Sequence, residues 1–295
     1  MNYSIKLEFL TPCFSHGATD APEIRPASIR GMLHHWFRIL GGTPQQERLV
    51  FGGVNQGRTS PFHDDSASRV VIRVRHDAKA DWRTISTLPH KTGERASPRA
   101  AFAPGHAFEL LVSDRLGGLK EPEASLFRDA LYVWLLMGTL GFRSTRAAGS
   151  FTFQSDDFPQ PASPEAYLER CKTILAAHRA PTRVGLSGKA FDKAEDARRL
   201  VSDSLGGPAN PDHAQDLERL HDPLGKIGRS GERRKTSPLK YRLVRFEGKF
   251  HILATWDGRR NVTGNDLSDL TGVIDLLLNR KPELGRVLAQ TRIDV

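Results

Sequence analysis

Near the N-terminus, Tyr3, Ile5, Leu7 and Phe9 alternate with Ser4, Lys6 and Glu8. A period of two is the signature of a half-buried strand. A loop rich in Gly, Pro and small polar residues follows, from Thr11 to Arg25. Pro26 then stands where a first helical turn tolerates it, and Ile29, Met32, Leu33, Trp36, Phe37 and Leu40 recur at helical spacing up to Gly41-Gly42. Beyond a loop containing Leu49-Val-Phe-Gly-Gly53, the period returns to two in Arg69–Arg75 through Val70, Ile72 and Val74. Phe108, Leu110 and Val112 mark a third strand. Glu121-Pro122 opens a helix running through Leu140, its stripe formed by Leu126, Ala130, Val133, Trp134 and Met137, and Phe151 and Phe153 mark a short fourth strand.

The resulting order, β-α-β-β-α-β over about the first 155 residues, constrains the fold more than any other feature. It predicts an α+β, ferredoxin-like domain with a four-stranded antiparallel sheet and two helices on one face. RNA-recognition domains share this topology, so it is compatible with RNA binding without proving it. The second half predicts helices near Glu165–His178, Asp192–Leu205 and Asp266–Leu278. Glu247-Gly248 between Leu239–Phe246 and Lys249–Trp256 signals a hairpin, and Gly206 to Pro238 reads as loop. Thr59-Ser-Pro-Phe62 is echoed by Thr236-Ser-Pro-Leu239. The expected organisation is two tandem lobes: residues 1–158, and a degenerate, more helical copy over 159–295.

Of the 295 residues, 43 are Lys or Arg and 34 Asp or Glu, a net charge of +9 that points to an anionic partner, most commonly nucleic acid. The first half carries only +3, whereas Leu224 to Arg245 alone holds eight basic residues against Glu232. Its Arg233-Arg234-Lys235 core reads as a loop able to track a phosphate backbone. Two distant cysteines, Cys13 and Cys171, exclude a disulfide scaffold, a zinc ribbon or an iron–sulfur cluster built from this chain alone. The N-terminus reads as a strand and not a signal peptide, and the apolar window Ala130–Leu140 is too short to span a bilayer. A cytoplasmic protein without membrane contact is expected.

Two motifs carry the chemistry. The first, Glu23-Ile-Arg-Pro-Ala-Ser-Ile-Arg-Gly-Met-Leu-His-His-Trp-Phe-Arg38, opens the first helix. Arg25, Ser28 and the free N–H groups of that turn suit an anion. Arg30, His34 and Arg38, at i, i+4 and i+8, share one face. The second, Gly138-Thr-Leu-Gly-Phe-Arg143-Ser144-Thr-Arg146-Ala-Ala-Gly149-Ser150, joins the second helix to the fourth strand. Its glycines, guanidiniums and hydroxyls suit phosphate, although neither nucleotide-binding glycine spacing is present. Phe14, Phe142 and Phe151, near these loops, are candidates to stack on bases.

At these places in this order, the two motifs resemble the RAMP superfamily of CRISPR-associated RNA-binding proteins, which carry a glycine-rich, Arg-containing loop after the second helix. Thr11-Pro12-Cys-Phe14, His16-Gly17-Ala18, Glu23-Ile-Arg25-Pro26-Ala-Ser28-Ile-Arg30-Gly31, Trp36-Phe-Arg38 and Leu49-Val-Phe51-Gly52 are similar to the series of the first Cmr subunit family of type III-B effectors. That family's loop usually ends Arg-Gly-x-Gly-Ser, whereas here Ala147-Ala148 precede Gly149. The resemblance implies a subunit contacting the crRNA 3′ region or target RNA beside other Cmr/RAMP subunits, with nuclease activity lodged elsewhere in the complex. It implies RNA contacts for Arg25, Ser28, Arg30, Arg38, Arg143, Ser144 and Arg146.

No cofactor or metal is expected. His34 and His35 are adjacent on a helix and diverge by about 100°, so they chelate poorly together. Asp64-Asp65 and Asp156-Asp157 read as turn residues, and Asp20 has no supporting ligand nearby. Cys13 reads as packing, and Trp36 and Trp134 as core. The rival to a binding subunit is a RAMP-type endoribonuclease processing precursor crRNA, with His16 as its acid–base candidate.

Overall fold

A computed structural model describes residues 1–18, 21–53, 67–76, 82–115, 117–203 and 237–290. The first strand, β1 (Asn2–Phe9), is followed by α1 (Pro26–Ile39) and α2 (Pro44–Phe51). Next come β2 (Val70–Arg75), an inserted hairpin of β3 (Trp82–Ser86) and β4 (Pro98–Phe102), and β5 (Ala107–Asp114). The unit closes with α3 (Glu123–Met137) and β6 (Phe151–Gln154). Its four-stranded sheet has the order β2-β5-β1-β6 and every pairing is antiparallel, the ferredoxin-like arrangement the sequence predicts. Ile5 faces Leu110 and Leu7 faces both Phe108 and Phe153, which puts the apolar alternation of all three strands on one face.

The sequence missed α2 and the inserted hairpin. Thr43 caps α2 through a reciprocal box with Gln46. Meanwhile α3, read as one stripe, is buried all round from Ala130 to Met137, because α4 (Pro164–Ala177) covers the side that would otherwise meet water.

The second half continues with β7 (Thr182–Leu186), α5 (Ala194–Ser202), β8 (Leu239–Phe246) and β9 (Lys249–Asp257). One helical turn (Arg260–Thr263) then leads to α6 (Asp269–Arg280) and α7 (Pro282–Ala289). The order β7-β9-β8, all antiparallel, is that of a ferredoxin-like sheet without its fourth strand. Glu247 and Gly248 both take positive φ in the β8–β9 turn, as a two-residue hairpin requires.

Both faces of this second sheet are covered. Leu239, Tyr241, Leu243, Ile252, Ala254 and Trp256 pack with residues of α5, α6 and α7. Val244, Phe246 and Leu253 join the first unit's core together with Tyr167 and Cys171 of α4. Among the described residues no helix is long and apolar enough to cross a membrane.

Candidate nucleic-acid interface

The glycine-rich segment Gly138–Ser150 is wedged between the N-terminal loop and β8. Thr11 Oγ1 donates to Ala147 O at 2.7 Å, Gly149 N to Pro12 O at 2.8 Å and Leu243 N to Ser150 Oγ at 2.9 Å. Two glycines are dictated by close approach: a Cβ on Gly149 would lie 1.8 Å from Leu140 O, and one on Gly141 2.7 Å from Phe14 O. Arg143 and Ala147 also adopt positive φ, 60° and 57°. The strained, tethered backbone holds the residues between them in one place.

Those residues form an aromatic–cationic platform. Phe142 is 44% exposed, and its ring lies 5.4 Å from the Arg99 guanidinium and 5.1 Å from that of Arg143. Arg146 is largely buried, and its Nη1 has no hydrogen-bond partner among the described residues. Burial, assisted by Arg143, disfavours the Arg146 charge. A buried cation with an unmet donor is costly unless an acceptor arrives. Ser144 is half-buried and its carbonyl accepts from Thr139 Oγ1 at 3.3 Å.

The other predicted residues divide by place. Arg25 caps α1 with an exposed side chain that makes no capping bond, and Ser28 in the first turn is half-buried. The stripe Arg30–His34–Arg38 instead meets α2. Arg30 donates to Phe51 O and His34 Nδ1 meets Glu47. Arg38 grips both Glu47 oxygens at 2.9 and 2.8 Å, and this pair holds the Glu47 carboxyl below the usual carboxylate range despite burial. Arg233, Arg234 and Lys235 lie outside the described residues, as do Asp20, Asp64 and Asp65.

The C-terminal part of the basic segment is the hairpin strand that the sequence predicts. Lys240, Arg242 and Arg245 belong to β8, where strand pairing fixes their directions. Arg242 is buried, donating to Trp134 O at 3.3 Å, to Gly138 O at 2.7 Å and to Phe151 O, with its guanidinium 4.4 Å from the Phe151 ring. Lys240 Nζ donates to His35 Nε2 at 2.6 Å, and Arg245 pairs with Glu8 at 3.3 Å. All three reach across to the first half of the chain; Arg242 and Lys240 are committed to those contacts, while the Arg245–Glu8 pair lies at the surface.

Phe14 and Phe151 are buried, which corrects their reading as stacking candidates; Phe142 alone of the three is exposed. Trp36 and Trp134 are core, as expected. His34 and His35 diverge to separate partners, and no group of three His, Cys, Asp or Glu could hold a metal among the described residues. His16 Nε2 lies 2.9 Å from Ala100 O. Cys13 is buried in apolar surroundings, which pushes its thiol up, away from reactivity. Arg99 and Arg198 were invisible in sequence, because only the folded chain carries them to the glycine loop and the N-terminal loop.

Residues 6–152 match the family model of the RAMP superfamily. CRISPR system Cmr subunit Cmr1-1 of Pyrococcus furiosus is 28% identical over 148 residues, which is 44% of this chain and 40% of that protein. The chain thus matches well under half of that relative's length. The crystal structure of Cmr1 from Pyrococcus furiosus in its apo form is similar with a TM-score of 0.58 at 19% identity, over 87% of each chain. A chain of the type III-B Cmr-beta complex bound to cognate target RNA gives 0.61 at 12% identity, over 94% of this chain and 99% of that one. Such likenesses establish the fold. The sheet order, the glycine-rich loop and the matched span agree: over residues 6–152 the chain is similar to the RAMP superfamily, and it resembles that superfamily's first Cmr subunit.

Proposed function

We propose that this chain is a non-catalytic, RNA-binding subunit of a type III-B CRISPR effector, contacting the crRNA 3′ region or the target RNA beside other Cmr/RAMP subunits in the cytoplasm. The observation that carries the reading is Phe142, exposed between the Arg99 and Arg143 guanidiniums on a loop that also holds the unmet donor of Arg146. An exposed ring between cations stacks on any base while the cations meet phosphate, which gives sequence-tolerant binding. Arg25, Ser28 and Ser144 extend the surface, and the Arg233-Arg234-Lys235 run supplies further charge. Arg30, His34 and Arg38 contribute to the extent that RNA competes with Phe51 O and Glu47. The division into lobes 1–158 and 159–295 is kept as a proposal about how the surface is shared.

The test is a salt titration of single-stranded RNA binding, where the slope of log K against log salt is roughly −0.7 per neutralised phosphate. Replacing Arg143 and Arg146 by Ala should flatten it by about one to two units, with circular dichroism confirming the fold. Phe142→Ala should cost about 1–3 kcal/mol while leaving the slope alone. Unaltered slope and affinity in both variants would refute the assignment. Cleavage of labelled repeat RNA in EDTA, lost in His16→Ala, would replace it with the nuclease reading.

A further inference from the structure

A cavity of about 460 Å³ opens where the inserted hairpin, the N-terminal loop and α5 meet. Leu10, Pro12, Ile85, Pro89 and Pro104 supply apolar walls. The charges along it are Lys91, Arg198 and Arg199 against Glu195. Glu195 pairs with Arg199 one helical turn away at 3.5 Å and also favours the Arg198 charge, so one carboxylate stands against three cations along the lining.

Arg198 is the unusual member. It is 3% exposed and its guanidinium sits 5.5 Å from the Phe14 ring. Its Nη atoms donate to the carbonyls of Ser86 at 3.3 Å and Thr87 at 3.1 Å, not to a carboxylate. Its Nε is buried and has no hydrogen-bond partner among the described residues. A buried guanidinium is ordinarily paired with an anion. Arg143 of the glycine loop lies close enough to Arg198 to disfavour its charge further, so cavity and loop share one positive region.

The complement of such a space is a flat apolar body carrying one anion, and its volume is in the range of small-ligand sites. We propose that the cavity takes one nucleoside monophosphate, its base against Ile85 and the prolines and its phosphate toward Lys91 and Arg198. As an unpaired nucleotide of bound RNA, this ligand rests on the function proposed above; as a free nucleotide, it does not.

The experiment uses the full chain with adenosine 5′-monophosphate as one probe and a 4-thiouridine-containing single-stranded RNA as the other. Ala194→Phe places a ring in the cavity, and Lys91→Ala removes the outer cation. The mononucleotide should saturate the protein, and Ala194→Phe should weaken it roughly ten- to a hundredfold, the loss expected for an unstacked base. Lys91→Ala should weaken it less. A photocrosslink in the Pro89–Lys91 peptide that the mononucleotide competes away assigns the ligand to RNA; saturation without that crosslink assigns it to a free nucleotide. Absence of both signals, or both persisting unchanged in Ala194→Phe, overturns the proposal. RNA binding that still depends on Arg143 and Arg146 would then leave the function standing. Saturation by the mononucleotide with no RNA binding would remove the function and keep the cavity.

Discussion

Arg242 shows how far a single side chain's role depends on what surrounds it. In sequence it is one of eight basic residues in a run, and charge alone assigns it to the surface. Strand pairing opposite Leu253 turns it inward, where three carbonyls from the α3 terminus and β6 accept its donors. Arg242→Met keeps the volume and strands those carbonyls, so at least about 3 kcal/mol should be lost, read as a lower urea midpoint. Ala147 is the opposite case, where two effects nearly cancel. Its φ of 57° costs an L-residue roughly 1–2 kcal/mol. Its methyl, fully buried against the second core, returns about 1 kcal/mol, and glycine would add unfolded-state entropy of similar size. Ala147→Gly should therefore shift stability by less than about 1 kcal/mol. The family's glycine is dispensable here because Gly149, not position 147, makes the approach that no Cβ survives.

At the scale of elements, the legible parts were those whose burial follows a simple period. β1, β5, β6 and α1 each turn one face or one stripe to a core, and their apolar spacing says so; the β8–β9 hairpin, covered on both faces, is legible from its Glu247-Gly248 turn. The β3–β4 insertion buries chiefly the end of β4, so Trp82, Arg83 and Thr84 give no alternation to read. For α2 a signal was present in Thr43-Pro-Gln-Gln46, a capping box with proline at the first helical position. Missing α2 also misplaced the Arg30–His34–Arg38 stripe, because its partners, Phe51 O and Glu47, lie on that helix. The sheet itself answers another question. Its outward face carries Ser4, Lys6, Arg73, Arg75 and Glu109 and, among the described residues of its strands, no aromatic ring. An RNA-recognition domain reads bases with aromatics on that face, so this sheet is built differently and binding is expected at the loops. Replacing Arg73 and Arg75 by Ala should leave the salt slope of RNA binding where it was, in contrast to Arg143 and Arg146. A flattened slope would move the interface onto the sheet.

Across the whole molecule, the two halves are closed on each other by a buried polar cluster that no sequence pattern announces. His35 of α1 accepts from Lys240 Nζ of β8 at 2.6 Å, and Arg259 Nη2 lies 3.3 Å from its other ring nitrogen. Arg259 in turn holds Asp257 of β9 at 2.9 and 2.7 Å. One carboxylate thus faces two cations, and a third charge on the imidazole has no room. Burial, then Lys240 and Arg259, push His35 down to about 3, outweighing the opposing pull of Asp257. In the unfolded chain a histidine takes its proton near pH 6.5. The unfolded state therefore binds the extra proton below that pH while the folded state refuses it. Stability is complete above about pH 6.5 and falls as pH drops from there toward 3, by roughly 1.4 kcal/mol per unit. At pH 5 the loss from this one site is about 2 kcal/mol. His90, lowered by its own burial, acts in the same direction, so the difference between proteins isolates His35. Urea unfolding at pH 7 and pH 5 should show His35→Gln losing less stability than the parent by about that amount. Asp257, held low by Arg259, leaves this window undisturbed because its contribution is lost only below its ordinary range. An equal loss in both proteins would mean that the imidazole accepts a third positive charge after all, and that the halves are not held shut through it.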